Sequence, residues 1–349
     1  MKTMSALPTR RRKSLHLRAL SCLLVAGLLG GCKPAGRSSV TGLSPMSDGV
    51  LAKANRIIAS ALSDPDPRIR ANAIEVVGST RQIRFASQVR RLTRDEVIPV
   101  RFAACLAIAD LRYAPAKVDV KQIFDEPKED PNIRLAAAYA MVRLGSTQYA
   151  DYPRKAITST NQTLRANAAL ILGKAGDRQA LDLLHWALQD KDSDERVILQ
   201  TAESMAMLGD GRIYQKLWAK LISAYADDRI AGIPAMGALG TEQARSAVLT
   251  MLDDGVVEVR LAAAGQLGRL HDPTGQAMVL EALEKDLPSG GDRAKGEPSG
   301  ARALAALAIG EIGSAPLIRF LPPLLDDASK SVQVAAAKAV FLQSGIAPR

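Results

Sequence analysis

The sequence has 349 residues, of which 47% are hydrophobic and only 4% aromatic. Its apolar residues are mostly Ala, Leu, Val and Ile, which suits closely packed helices better than an aromatic-centred β core. The formal net charge is +10, but residues 1–31 hold six of the 46 basic residues and none of the 36 acidic ones. The remaining chain therefore has 40 basic residues and a net charge of +4. This small excess argues against a nucleic-acid partner, and none is expected.

The N-terminal residues 1–31 have the pattern of an export signal. Residues 10–13 are Arg-Arg-Arg-Lys, and residues 20–31 form an apolar segment too short to span a bilayer comfortably. The segment ends in Leu29-Gly30-Gly31-Cys32, which resembles the bacterial lipobox. This resemblance implies cleavage before Cys32 and a lipid on its sulfur. The alternatives are an ordinary signal peptide or an uncleaved membrane anchor.

Residues 32–49 are predicted to form a flexible tether, because the segment is rich in Gly, Pro and Ser and shows no sustained period. Lipid on Cys32 would bind the protein to a membrane. Lys33 follows the cysteine where an aspartate would indicate inner-membrane retention. The resemblance to lipoproteins therefore points to the periplasmic face of the outer membrane.

From residue 50 onward one pattern recurs: a polar turn, an apolar residue, usually an arginine, then small residues and an apolar stretch. We call the residue at the arginine position the register residue. The register residues are Arg70, Arg101, Arg134, Arg165, Ile198, Arg229, Arg260, Arg302 and Gln333. Their spacing is 31 to 33 residues, except for 42 before Arg302. Such a period predicts two short helices per copy and an all-α protein of about nine helix pairs over residues 50–349.

The copies that begin Ile69-Arg-Ala-Asn-Ala, Val100-Arg-Phe-Ala-Ala and Ile133-Arg-Leu-Ala-Ala resemble HEAT repeats, including the short ones of phycobilin lyase subunits. The resemblance implies an α-α superhelix, a HEAT-like solenoid. It also implies that the register arginines join an Asp/Arg ladder between repeats, although a row that binds a polyanion is the alternative. The longer interval coincides with a Gly- and Pro-rich loop insertion at residues 286–300.

In HEAT solenoids the second helix of each pair lines the concave face, and offsets of two, five and nine from the register share one stripe. Here the stripe mixes small, apolar and charged residues, which fits a protein-binding groove or local packing between repeats. The candidate partner-binding residues are Leu106, Tyr139, Arg143, Leu170, Lys174 and Glu203.

Tyr214, Trp218 and Tyr225 have spacings of four and seven, so they are predicted to share one face of the first helix of the sixth copy if that helix continues as far as Tyr225. Packing within or between repeats explains such a stripe better than a ligand platform does.

The sequence contains no nucleophile elbow, phosphate-binding loop or zinc motif, and Cys105 has no histidine at ligand spacing. No catalytic residue, metal or cofactor is therefore expected. The predicted function is a membrane-anchored protein-binding scaffold or adaptor in the bacterial cell envelope, using the concave face, and not an enzyme. The alternative is an enzyme or enzyme subunit of the phycobilin-lyase-like HEAT type. Neither the partner nor the oligomeric state follows from the sequence.

Overall fold

A computed structural model describes residues 47–286 and 299–344 of the chain. The predicted signal peptide (1–31), the predicted lipidation residue Cys32, nearly all of the predicted tether and residues 287–298 of the predicted loop insertion lie outside the described residues. Within them, every regular element is helical, which confirms the all-α prediction. None of the helices described there combines the length and apolar character needed to cross a membrane.

The chain forms two compact units. Unit I comprises residues 59–213, and unit II comprises residues 47–58 and 214–344. The helices of unit I are α2 (Pro67–Ser79), α3 (Ala86–Leu92), α4 (Ile98–Leu111), α5 (Lys117–Asp125), α6 (Pro131–Arg143), α7 (Asp151–Ala156), α8 (Gln162–Ala175), α9 (Leu181–Gln189) and α10 (Glu195–Met207).

Most of α1 (Asp48–Ala61) belongs to unit II, although this helix precedes unit I in the chain. The others are α11 (Tyr214–Leu221), α12 (Ala226–Ala238), α13 (Glu242–Thr250), α14 (Val257–Arg269), α15 (Gln276–Glu281), α16 (Ser299–Ile312), α17 (Ala315–Ile318), α18 (Leu321–Leu324) and α19 (Lys330–Gln343).

In chain order these helices alternate as the first and second members of nine pairs. In the ninth pair the short helices α17 and α18 together take the place of the first helix. Each register residue lies in a second helix, so the predicted number of pairs is confirmed. Within unit I, α2, α4, α6, α8 and α10 pack successively against one another. In unit II, α12, α14, α16 and α19 do the same. The second helices thus form one continuous layer in each unit.

Two second helices begin with an Asp-Pro pair, a sequence that favours the start of a helix. The Asp66 carboxylate accepts the Arg68 amide, and Pro67 occupies the first helical position of α2. Asp130 caps α6 in the same way, with Pro131 following it. The acidic residue satisfies an amide that the helix leaves free, while proline presets φ for the first turn.

Small residues allow successive second helices to approach closely. A Cβ atom on Gly173 of α8 would lie 2.8 Å from the Cβ of Ser204 on α10. On Gly310 of α16 it would lie 2.6 Å from the Cα of Ala339 on α19. Both distances are shorter than van der Waals contact, so only glycine fits these crossings without a shift of the helices.

The aromatic residues near α11 correct one sequence-based prediction. The rings of Tyr214 and Trp218 stack with their centroids 6.5 Å apart, so these two residues do share a face. However, α11 ends at Leu221, and Tyr225 is the N-cap of α12. The prediction was wrong for Tyr225 because the turn at residues 222–225 interrupts the helical period.

Candidate functional site

Five of the seven register arginines form ion pairs that join consecutive repeats. Four of them reach an aspartate that lies 25 residues later in the chain, in the turn before the next second helix. The pairs are Arg70 with Asp95 at 2.8 Å, Arg165 with Asp190 at 2.7 Å, Arg229 with Asp254 at 2.7 Å and Arg302 with Asp327 at 2.7 Å. Arg101 pairs in a similar manner with Glu129 at 2.9 Å. The predicted ladder is therefore present.

The same side chains also bond the turn that precedes their own helix. Arg70 donates to the carbonyl of Asp64 at 2.8 Å and Arg229 to that of Ser223 at 2.9 Å, each six residues earlier. Gln333, which replaces arginine in the last copy, keeps this bond by donating to the Asp327 carbonyl at 2.6 Å. These arginines are buried and bonded within the protein, which assigns them to structure and argues against a polyanion-binding row.

The six predicted partner-binding residues lie on four successive second helices of unit I: α4, α6, α8 and α10. Leu106 and Leu170 are only 8% and 6% exposed, and Tyr139 is 1% exposed. Glu203 is also buried, while Arg143 is half-buried. The two leucines therefore fill the space between repeats and offer little surface to a partner.

Two of the predicted residues, Tyr139 and Lys174, both contact Asp110, which is not among the six candidates. Lys174 Nζ on α8 donates to Asp110 Oδ2 on α4 at 3.1 Å, across the intervening α6. Tyr139 Oη on α6 makes a longer contact of 3.5 Å with Asp110 Oδ1. We call Asp110, Tyr139 and Lys174 the buried triad. The triad links three consecutive second helices.

Burial shifts the pKa values of Asp110 and Tyr139. It raises the pKa of Asp110, and the positive charges of Lys174 and Arg143 act in the opposite direction. Burial and the nearby Asp110 carboxyl also raise the pKa of Tyr139, so its phenol keeps its proton and can donate it in a hydrogen bond.

The remaining charged candidates are not bonded to the triad. Gln200 Nε2 donates to Glu203 Oε2 at 3.1 Å, within α10. Burial raises the pKa of Glu203 to about 8, which favours a neutral carboxyl at physiological pH. Arg143 forms no hydrogen bond or ion pair among the described residues, and its Nε atom is buried. Its charge still acts on Asp110 and Tyr139.

The sequence contained a signal for this arrangement. Asp110, Arg143 and Lys174 each lie nine residues after their register residue, so they occupy equivalent positions in three consecutive repeats. In unit II the residues at the same offset, Arg269 and Glu311, form an ion pair between repeats. Opposite charges nine residues after the register residue therefore indicate contacts between repeats. Of Asp110, Arg143 and Lys174 in unit I, Arg143 is the residue that forms no ion pair among the described residues.

The paired helices and their Arg/Asp ladder define the class of the protein, an all-α repeat protein of the solenoid type. The sequence identifies the repeat more closely: residues 54–141 and 151–231 match the HEAT repeats family. The match agrees with the resemblance to HEAT repeats noted in the sequence. No curated protein matches the chain.

Solved structures similar to the chain include a chain of the complex of CpcE and CpcF of phycocyanin lyase from Nostoc. That match is 20% identical, covers 73% of this chain and 100% of the other, and has a TM-score of 0.43. Human deoxyhypusine hydroxylase is 16% identical, with 84% and 98% covered and a TM-score of 0.34. YibA from Escherichia coli is 22% identical, with 62% and 82% covered and a TM-score of 0.31.

The exclusion of an enzyme on sequence grounds was wrong. Two of the similar structures are named as a lyase and a hydroxylase, so a helical-repeat architecture without a familiar catalytic motif does not exclude catalysis. At these identities and TM-scores the matches assign no reaction to this chain. Within residues 47–286 and 299–344, no group of three or more His, Cys, Asp or Glu side chains is placed to hold a metal ion.

Proposed function

We propose that this HEAT-repeat protein is a binding protein of the bacterial cell envelope, anchored by lipid on Cys32, that docks an acidic segment of a protein partner. The docking surface is the second-helix stripe of unit I, centred on Arg143. Tyr139, Lys174 and Glu203 shape this stripe, while Leu106 and Leu170 support it from below. Arg143 would bind a carboxylate of the partner.

The observation that carries the proposal is the unpaired guanidinium of Arg143. Its neighbours at the same offset, Asp110 and Lys174, bond each other across α6, which is the helix that holds Arg143. Asp110, the carboxyl group on which the charge of Arg143 acts, is therefore already bonded to Lys174. A half-buried arginine without a carboxylate can take one from another molecule, and its planar donors suit the two oxygens of a carboxylate.

The burial of the surrounding groups supports a fixed site. Tyr139 is enclosed, and the side chain of Lys174 is only 5% exposed, so neither can swing into solvent. A site held by packed side chains loses little conformational entropy when a ligand binds.

Affinity capture from crosslinked membranes tests the docking surface. Arg143→Glu is expected to reduce recovery of the partner by at least about tenfold, because a repulsive charge replaces an attractive one. Arg91→Glu is the matched control, since Arg91 is exposed on the first helix α3 and makes the same charge change. If Arg143→Glu and Arg91→Glu both unfold at the parent temperature and recover equal amounts of the partner, Arg143 does not bind the partner. Variants of Leu106 or Leu170 are unsuitable here because both side chains are buried.

Lipid anchoring and export rest on the sequence alone. The basic segment, the apolar segment and Leu29-Gly30-Gly31-Cys32 support removal of residues 1–31 and acylation of Cys32. We propose that the residues between Cys32 and the start of α1 at Asp48 then serve as the tether of the solenoid, at the periplasmic face of the outer membrane; the predicted tether of residues 32–49 is thus shortened, because Asp48 and Gly49 are helical. Intact-mass measurement of detergent-extracted protein tests this directly. Loss of residues 1–31 with added acyl mass is expected, and Cys32→Ser should abolish the added mass. A full-length, unmodified mass contradicts the anchor.

A further inference from the structure

The turns after eight of the nine second helices contain a residue with a left-handed backbone. It lies eleven positions after the register residue, and its φ is between 49° and 89°. In five copies this residue is glycine, which adopts the conformation without steric cost. The exceptions are Arg81, Arg112 and His271. Because a Cβ atom makes this backbone unfavourable, the turn itself does not explain why these three side chains are there.

Arg81 and Arg112 occupy this position in two consecutive copies, after α2 and α4. Both side chains are exposed, and neither guanidinium group forms a hydrogen bond or ion pair among the described residues. The surrounding segments, residues 76–94 and 111–118, contain no acidic residue. Two free positive charges therefore lie at the same end of neighbouring second helices, on a backbone that glycine would fit better.

Arg112 lies close to the docking surface proposed around Arg143. The positive charges of Arg112 and Arg143 both act on the Tyr139 phenol, so the two guanidinium groups lie near the same ring. Arg143 is the last residue of α6, and Arg112 follows the last residue of α4, the neighbouring second helix. A ligand with one carboxylate on Arg143 therefore has a second free arginine nearby.

Arg81 continues this row by one further repeat. A Cβ atom on Gly78, three residues earlier, would lie 3.6 Å from Asp110 Oδ2, so the end of α2 packs against the buried triad. Packed helices are about 8–10 Å apart. Free arginines at the ends of α2, α4 and α6 are therefore expected to follow one another at about this spacing.

We infer that Arg81 and Arg112 bind successive carboxylates of an extended acidic peptide segment that also reaches Arg143. The inference rests on the proposed docking surface and extends it to the turns after α2 and α4. An extended chain advances about 3.3–3.6 Å per residue, so acidic residues three positions apart span one helix spacing. Each guanidinium group can bind a carboxylate through two parallel hydrogen bonds. Nucleic acid fits less well, since the chain after residue 31 has a net charge of only +4.

Fluorescence anisotropy with the full chain and synthetic peptides tests the row of arginines. The probe is a fluorescein-labelled glycine–serine peptide that carries glutamates three positions apart, and its control has glutamine at the same positions. We expect the glutamate peptide to bind and the glutamine peptide not to bind. Arg81→Gly and Arg112→Gly should each weaken binding of the glutamate peptide by about tenfold, because each loses one charged contact.

Thermal unfolding of the same variants separates binding from stability. Glycine relieves the left-handed backbone, so Arg81→Gly and Arg112→Gly should unfold at a higher temperature than the parent although they bind more weakly. His271→Gly, in the equivalent turn of unit II, should also raise the unfolding temperature but leave peptide binding unchanged. Lys191→Ala removes an exposed positive charge from the turn before α10, at the other end of the second helices, and should change neither property.

Equal affinity for the two peptides, or unchanged binding in both arginine-to-glycine variants, would overturn the inference. So would tighter binding of oligothymidylate that these variants weaken, since phosphates would then be the ligand. Arg143→Glu distinguishes this inference from the proposed function. If it abolishes peptide binding while Arg81→Gly and Arg112→Gly do not weaken it, the docking surface stands and its extension fails. If Arg143→Glu binds like the parent while the glycine variants lose binding, the proposed surface around Arg143 fails instead.

Discussion

Arg229 and Asp254 form an ion pair that solvent scarcely reaches. Nε of Arg229 donates to Asp254 Oδ2 at 2.7 Å and Nη2 donates to Oδ1 at 2.9 Å, while both side chains are 1% exposed. The pair joins α12 to the turn before α14. Its two parallel hydrogen bonds satisfy both carboxylate oxygens, which is the condition under which a buried ion pair is tolerated.

Replacing Arg229 with leucine should destabilise unit II by about 3–5 kcal/mol, because Asp254 would remain buried without its counter-charge. Urea unfolding followed by circular dichroism measures the change. Arg68→Leu is the control, since Arg68 pairs with Asp66 at the surface with a side chain that is 69% exposed. That variant should unfold at nearly the parent midpoint. A similar loss of unfolding free energy in both variants would mean that the buried ion pair contributes no more to stability than the exposed one.

Gly310→Ala should destabilise the protein by about 1–3 kcal/mol through overpacking. The added Cβ would meet the backbone of Ala339, which cannot move without shifting α19. Helix propensity alone predicts the opposite sign, because alanine is favoured over glycine in a helix by about 1 kcal/mol. Thermal unfolding therefore separates the two effects by sign. Gly255→Ala, where no atom lies within 4 Å of the new Cβ, serves as the neutral control.

Glu203 should make stability fall as the pH rises from about 4.5 to about 8. Burial raises its pKa from 4.5 to about 8, so the folded protein holds a proton that the unfolded chain releases across this range. Glu203→Gln should therefore stabilise the protein at pH 8, on the order of 3 kcal/mol, and change little at pH 4. Urea unfolding at the two pH values checks this. Glu96→Gln, at an exposed residue of unit I, should show no such difference.

Cys105 should be unreactive in the folded protein. Its side chain is fully enclosed, and burial raises the thiol pKa to about 12, so almost no thiolate forms near neutral pH. In a Cys22→Ser/Cys32→Ser variant, Cys105 is the single cysteine. Ellman's reagent should label it only after urea is added. Adding Ser87→Cys, on the exposed side of α3, should give one immediately reactive thiol. Rapid labelling of Cys105 in the native state would contradict its enclosure.

The repeat architecture could be predicted because its causes are local. The period of about 31 residues, the arginine before most runs of small residues, and Asp66-Pro67 and Asp130-Pro131 are all visible in the sequence. Together they indicate where helices begin and how often they recur. The Arg/Asp ladder was an implication of the resemblance to HEAT repeats and did not follow from the period itself, since Arg134, at an equivalent position, donates instead to the Phe124 carbonyl.

The accessibility of the stripe could not be predicted in this way. Whether Leu106 and Leu170 face solvent depends on the distance between neighbouring helices, which contacts such as Gly173 against Ser204 determine. The bond between Asp110 and Lys174 joins residues 64 positions apart and passes over a whole repeat. Helical periodicity describes the face on which a residue lies, but not how deeply the adjacent helices cover it.

The ladder aspartates also hold the backbone of their own repeat. Besides receiving arginine, Asp95, Asp254 and Asp327 accept the amide two residues later, at the residue that caps α4, α14 or α19. One carboxylate therefore couples the start of a helix to a side chain supplied by the preceding repeat. Loss of that carboxylate would weaken two neighbouring repeats together. These few acidic groups therefore contribute to the folding cooperativity between nearest neighbours.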